Sequence, residues 1–268
     1  MKLSVFTEHL YEAARQSGKP LGEILRTVRA LGIGGVELDH ERLNDNPRLP
    51  RLLRESGLEI ACVYAFFDFG HSDDTARIEA VLDALDKNAI RLLMAIPGFF
   101  APGDDRRAVL NRMIEGMERL IESAKTRGIA VCLEDFDDEN APFSTADGLL
   151  YFLDKLPRLG CAFDTGNFRY SGEDELSAFG RLKPRIVHLH CKDRRRAPLR
   201  PGEEEKEAVT GEKMYPAAVG EGTVKIEPIV RALLADGYRG WLAIEHFGSA
   251  DQLADIRRSA ENLTRWEV

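Results

Sequence analysis

Residues 186–193 read "IVHLHCKD", and shortly before them residues 161–170 read "CAFDTGNFRY". Each stretch begins with residues suited to a buried strand, then places an acid or a histidine where the apolar run stops. Burying such groups costs free energy unless a partner compensates. Two further runs behave the same way, "AVCLED" at 130–135 and "WLAIE" at 241–245. Alternate residues of a strand face opposite sides. Val131 and Leu133 then face one side, and Cys132 and Glu134 the other. By the same phase Ala162 goes with Asp164, Ile186 with His188 and His190, and Ala243 with Glu245. In all four runs the last residue of the inward face is polar.

Outward from these runs, strand and helix patterns alternate along the whole chain. Earlier strands are read at "LSVF" (3–6), "GVELD" (35–39), "IACVYAF" (60–66) and "RLLMAI" (91–96). Helical spacing marks "LGEILRTVRALG" (21–32), "TARIEAVLDALDKN" (75–88), "RAVLNRMIEGMERLIESAKTRG" (107–128) and "EPIVRALLADG" (227–237). Glycine follows several of these helices, as a helix C-terminus favours. Strands each followed by a helix predict an α/β protein, a single (βα)8 TIM barrel over residues 1–268. A doubly wound sheet ordinarily carries a Gly-rich phosphate turn after its first strand. The segment "TEHLYEAARQSGK" after the first strand has none. The longest irregular stretch, residues 193–222, is charged and rich in Pro and Gly, and is expected to be a long loop after strand seven, at the catalytic rim.

Barrel enzymes hold their chemistry at the C-terminal ends of the strands. Glu134, Asp164, His190 and Glu245 therefore converge from four consecutive strands on one small volume. A lone glutamate at a strand end is ordinarily a solvated rim residue; four successive strand ends in the same phase point to a ligand set. Three carboxylates that close repel one another unless a cation stands between them. With one imidazole they form a hard site suited to Mn²⁺ or Mg²⁺, with Co²⁺ tolerated. Zinc is less favoured, since only one imidazole and no thiolate are offered. His188 lies one layer deeper, as a ligand or as a buried hydrogen-bonding partner.

The net charge of −8 disfavours non-specific binding to nucleic acid or anionic membranes. No apolar run approaches the roughly eighteen residues of a membrane-spanning helix. Glu and His interrupt the N-terminal apolar stretch, which argues against a signal peptide. The four cysteines, Cys62, Cys132, Cys161 and Cys191, show no zinc spacing. A reduced, cytoplasmic protein is expected.

The pieces "VCLEDF", "AFDTGNF", "HLHCKD", "LGIGGVELD" and "AVGEGTVKIEPIVRALLADGYRGWLAIEHF" resemble the xylose isomerase-like barrel family of sugar isomerases and epimerases. The resemblance runs from the first strand to the last. It implies a divalent metal held by Glu134, Asp164, His190 and Glu245, with Glu134 and Glu245 also exchanging a proton beside a substrate carbonyl through a cis-enediolate. A cation on the developing enolate oxygen is the largest available stabilisation. Asn167 stands where many relatives place a histidine that touches substrate or metal. An arginine shortly after the metal histidine often binds substrate in such epimerases. Arg194, Arg195 and Arg196 are the candidates, with Arg196 preferred on spacing. Relatives are often homodimers or homotetramers.

Further substrate-contact candidates are Lys192, Glu37 and His188. Glu37 faces inward on strand two and is read equally as a structural ion pair, with Asp39 and His40 at the strand's mouth. Lys192 would neutralise an acidic substrate or pair with a neighbouring carboxylate. Tyr64, Phe66, Phe67, Phe99 and Phe100 are core residues or an apolar pocket wall, His9 and His71 rim histidines, and Trp241 a packing residue at the far end of its strand. The expected function is a metal-dependent isomerase or epimerase of a ketose or related sugar. The alternative is a dehydratase of a cyclitol or keto-sugar, which begins with the same proton abstraction. An abasic-site DNA endonuclease, the remote alternative, would need histidines on strands three and four and a basic rim; those strands hold no histidine and the net charge is negative.

Overall fold

The computed structural model describes residues 1–267. Eight parallel strands form a closed barrel: β1 Lys2–Phe6, β2 Gly35–Asp39, β3 Glu59–Phe66, β4 Leu92–Ile96, β5 Ala130–Glu134, β6 Gly160–Asp164, β7 Ile186–Arg195 and, after two short strands, β10 Trp241–Glu245. Closure is made by β10, which pairs in parallel with both β1 and β7. The helices are α1 Thr7–Ser17, α2 Leu21–Ala30, α3 His40–Asp45, α4 Leu49–Glu55, α5 Thr75–Lys87, α6 Arg106–Thr126, α7 Ala146–Lys155, α8 Asn167–Tyr170, α9 Glu175–Leu182, α10 Ile226–Ala235 and α11 Gln252–Trp266. Two helices, rather than the single one expected, follow each of β1, β2 and β6.

Local signals account for these elements. Asp105 caps α6 by accepting from the Arg107 and Ala108 backbone N–H groups. Along α6, Val109, Met113, Met117, Leu120 and Ala124 are buried, the apolar stripe that three- and four-residue spacing produces. Outward-facing Phe163 of β6 packs against Phe168 and Phe179, at ring separations of 5.1 and 5.8 Å. At the opposite end from the site, Trp241 opens β10 with the Lys2 ammonium 5.1 Å from its ring. No helix among the described residues is long and apolar enough to cross a membrane.

The expectation of a loop over 193–222 is corrected by the structure. β7 runs on past the barrel to Arg195. The chain then returns as β9 (Lys213–Ala217), antiparallel to β7 through Asp193–Ala217, Arg194–Pro216 and Arg195–Tyr215. A two-residue strand, β8 (Lys206–Glu207), pairs with β9 in turn. Charge and proline content concealed this extension because its strands are short and carry charged residues. Asp193 anchors it: the buried carboxylate accepts from the backbone N–H groups of Arg194, Gly220, Gly222 and Val224 at 2.8–3.1 Å.

Candidate active site

The D-T-G-N turn after β6 is built against β7. Thr165 Oγ1 donates to the Lys192 carbonyl at 3.0 Å and accepts from the Lys192 N–H at 2.9 Å. Gly166 is required here, because a Cβ at that position would lie 2.7 Å from the Lys192 carbonyl oxygen. Asp164 Oδ1 accepts from the Gly166 and Asn167 N–H groups, both at 2.7 Å. Its other oxygen, Oδ2, is buried with no hydrogen-bond partner among the described residues. It lies 3.9 Å from His190 Nδ1.

The same His190 nitrogen is 2.5 Å from Glu134 Oε1 and 3.4 Å from Glu245 Oε2. The four strand ends thus meet, with one donor atom from each of Glu134, Asp164, His190 and Glu245 within 4.8 Å of the others. All four residues are buried. Burial pushes Asp164 well above the usual carboxylate range, against Lys192 and with help from Glu245 and Glu134, and burial raises Glu134 despite the nearby imidazole. For His190, burial works against the charged form, but the Glu37 and Glu134 carboxylates override it and hold the imidazole well above its ordinary value. Carboxylates crowded in a dry site, one with an unpartnered oxygen, fit a divalent cation. These four side chains could hold one.

Beneath this cluster, Glu37 is fully buried, its Oε2 2.8 Å from His188 Nε2 and both its oxygens 3.2 Å from His190 Nε2. Neither Glu37 nor His188 lines the cavity. Both are fully buried and hydrogen-bonded to each other, which agrees with their readings as an ion pair and a buried hydrogen-bonding partner.

Above the cluster lies a cavity of about 470 Å³. One side is polar. Lys192 Nζ is 2.8 Å from Glu245 Oε1, 2.7 Å from Asn167 Oδ1 and 3.3 Å from Asp137 Oδ2. Burial would lower the lysine, but Asp137, Glu245 and Asp164 hold it well above its ordinary range. Lys206, carried on β8, reaches the other Asp137 oxygen at 2.8 Å. Much of the remaining lining is apolar, with Phe6, Tyr64, Phe66, Met94, Phe136 and Phe247. Asn167 donates from its amide to the Asp135 carbonyl at 2.6 Å, so its side chain is fixed before anything binds.

Among the arginines, the structure reverses the preference. Arg196 is mostly exposed, is paired with Glu212 and does not line the cavity. Arg194 is buried at the cavity wall, donating to the Phe247 carbonyl at 3.1 Å while its Nε has no partner among the described residues. Tyr64 and Phe66 line the cavity, whereas Phe67 stacks on Phe69 at 4.7 Å and Phe99 and Phe100 stay outside the lining. His71 is a rim residue, between Asp68 and Asp104. His9 is not: it is buried, and its Nε2 accepts from the His246 N–H at 3.0 Å. All four cysteines are buried free thiols.

Sequence reading missed Phe136, Phe247, Asp137 and Phe6. A signal was present for two of them. Glu134–Asp135–Phe136 and Glu245–His246–Phe247 repeat one pattern, and a residue two places after an inward glutamate shares its side while the chain stays extended.

The family model described as a xylose isomerase-like TIM barrel matches residues 25–266. The chain belongs to that family. It is similar to the rhizopine catabolism protein MocC of Rhizobium meliloti, 28% identical over 92% of this chain and 81% of that protein. It is also similar to inosose dehydratases, including that of Geobacillus thermodenitrificans, 26% identical over 80% of this chain and 78% of the relative. Among solved structures, the probable 3-DHS dehydratase AsbF from Bacillus anthracis superposes with a TM-score of 0.75 at 18% identity, covering 98% of this chain and 99% of that one. An L-ribulose 3-epimerase gives 0.75 at 16% identity over 100% of this chain and 95% of that one. At these identities the structural likenesses establish the barrel. The sequence relatives include enzymes. Among the described residues, the groups able to hold a metal are the strand-end cluster and a deeper set of Glu37, Cys62 and His188.

Proposed function

We propose that the protein is a divalent-metal-dependent isomerase or epimerase of a ketose or related polyhydroxy ketone. The observation that carries this reading is the pair Glu134 and Glu245. They rise from strands separated by β6 and β7, both line the cavity, and both have an oxygen within 4.8 Å of the other ligand atoms. A bound Mn²⁺, with Mg²⁺ or Co²⁺ as substitutes and Zn²⁺ less suited, would supply charge stabilisation to an oxygen that becomes anionic when the neighbouring carbon loses its proton. Glu134, Asp164, His190 and Glu245 would hold it. One glutamate takes the proton from the carbon beside the carbonyl, and the other returns a proton from its own side. Asn167, Lys192 and Arg194 orient the hydroxyl groups, and the aromatic wall excludes water.

A second reading, dehydration of a keto-sugar or cyclitol, is favoured by Lys192. Its ammonium sits 2.8 Å from Glu245 Oε1, where it could assist departure of a hydroxyl β to the carbonyl. The similarity to inosose dehydratases supports the same reading.

Incubation of the Mn²⁺-loaded protein in D₂O with ketoses, keto-acids and inososes, followed by NMR, tests both. Deuterium at the carbon beside the carbonyl with the skeleton retained supports isomerisation or epimerisation. Loss of water marks the dehydratase. No exchange into any of these compounds would refute carbon deprotonation altogether.

A further inference from the structure

We propose that Glu37 is a positioning residue for the ion site: it grips the His190 ring through Nε2–H, leaving Nδ1 to face Glu134, Asp164 and Glu245. The affinity part of this proposal rests on the metal reading above; the orientation of the ring does not.

The register between β2 and β3 shifts between Val36 and Glu37. The unmatched residue is Ala61 of β3, and Glu37, inward by the regular phase of β2, lies in the barrel interior with no exposed surface. An ionised carboxylate only accepts hydrogen bonds. With oxygens 3.2 Å from His190 Nε2 and 2.8 Å from His188 Nε2, it therefore requires a proton on both nitrogens. His190 is then committed to presenting Nδ1, which lies 2.5, 3.4 and 3.9 Å from the three strand-end carboxylates.

Neighbouring rings restrict the alternatives. Phe6 packs edge-on against His190 at 5.0 Å, and His188 does so at 4.9 Å. Among the described residues His188 Nδ1 is buried without a partner, so its hydrogen bond to Glu37 is the polar interaction its ring makes there. Its role is to occupy the second acceptor position of Glu37, fixing that carboxylate's plane. A hydrogen bond from a ligating imidazole to a carboxylate sets the tautomer and raises the basicity of the ligand nitrogen. The deeper grouping with Cys62 has ion-like spacing. An ion there would take the Glu37 oxygens away from His190, so support of the upper site is the better use of this carboxylate.

Two measurements decide the matter. Nitrogen-15 NMR of histidine-labelled wild-type protein, metal-free and with diamagnetic Mg²⁺, should show His190 Nε2 protonated in both states; an unprotonated Nε2 in either overturns the proposal. Mn²⁺ titration followed by EPR should show one ion per chain, bound about 10–100-fold more weakly by Glu37→Gln. Equal affinity in wild type and variant, or the loss of a second bound equivalent in the variant, also overturns it. If the wild type binds no Mn²⁺, the metal reading fails and the Nε2 result alone decides the positioning role. It decides equally if Glu37→Gln does not fold.

Discussion

Replacing Asp193 by asparagine should destabilise the protein out of proportion to a change of one atom. The carboxylate is fully buried, with Oδ1 accepting from Arg194 and Val224 and Oδ2 from Gly220 and Gly222. An asparagine keeps one acceptor oxygen and turns the other into an NH₂ donor. Whichever way it is oriented, two backbone N–H groups lose their acceptor and face another donor. The Arg194 and Val224 N–H groups are buried while Gly220 is exposed and Gly222 half-buried, so the NH₂ settles toward the glycines, where water meets part of the loss; at about 1–3 kcal/mol per unsatisfied buried donor the sum is about 1–3 kcal/mol. Against a typical total of about 5–15 kcal/mol this is a large fraction. Urea unfolding followed by circular dichroism should give a lower midpoint with the slope little changed. A loss below about 1 kcal/mol would refute the idea that this carboxylate ties the β7 extension to the segment before α10.

Gly222→Ala should weaken the same anchor, since a Cβ there would lie 2.1 Å from Asp193 Oδ1 and 2.5 Å from the Arg194 carbonyl; comparison of thermal midpoints checks this. Under the proposed reaction, Glu134→Gln and Glu245→Gln should each reduce turnover by at least about 10²–10⁴-fold with the circular dichroism spectrum retained. Treatment with EDTA should remove activity and Mn²⁺ restore it. Arg194→Ala should impair kcat/KM, whereas Arg196→Ala, an exposed residue paired with Glu212, should leave it near the wild-type value. Hydrogen bonds to Asp68 and Asp104 raise the His71 pKa above its ordinary value. The stabilisation from protonated His71 is therefore full below its unfolded-state pKa, near pH 6.5, and lost as pH rises through the higher folded value. The thermal midpoint of His71→Asn should accordingly fall short of wild type more at about pH 5.5 than at about pH 9; an equal deficit at both would count against the ion pair.

The barrel and its strand-end cluster were legible in the sequence because both follow from period-two alternation. Glu134, Asp164, His190 and Glu245 each end an apolar run, and phase alone sends them to the same side. Equally, the alternation of strand and helix patterns needed no knowledge of long-range contacts. Side-chain partners were another matter. Nothing local distinguishes Arg194 from Arg196, since both share one phase of a charged segment. Only the return of β9 onto β7 buries the first and leaves the second outside. Glu37 was read equally as a substrate contact and as a structural ion pair. Strand phase sends it inward, but its partners are histidines more than a hundred residues away, which no local pattern reveals. Sequence periodicity determined which face each strand residue takes, because that is a property of the backbone. The tertiary structure decided which groups touch, because that depends on where distant segments stop and how they pack.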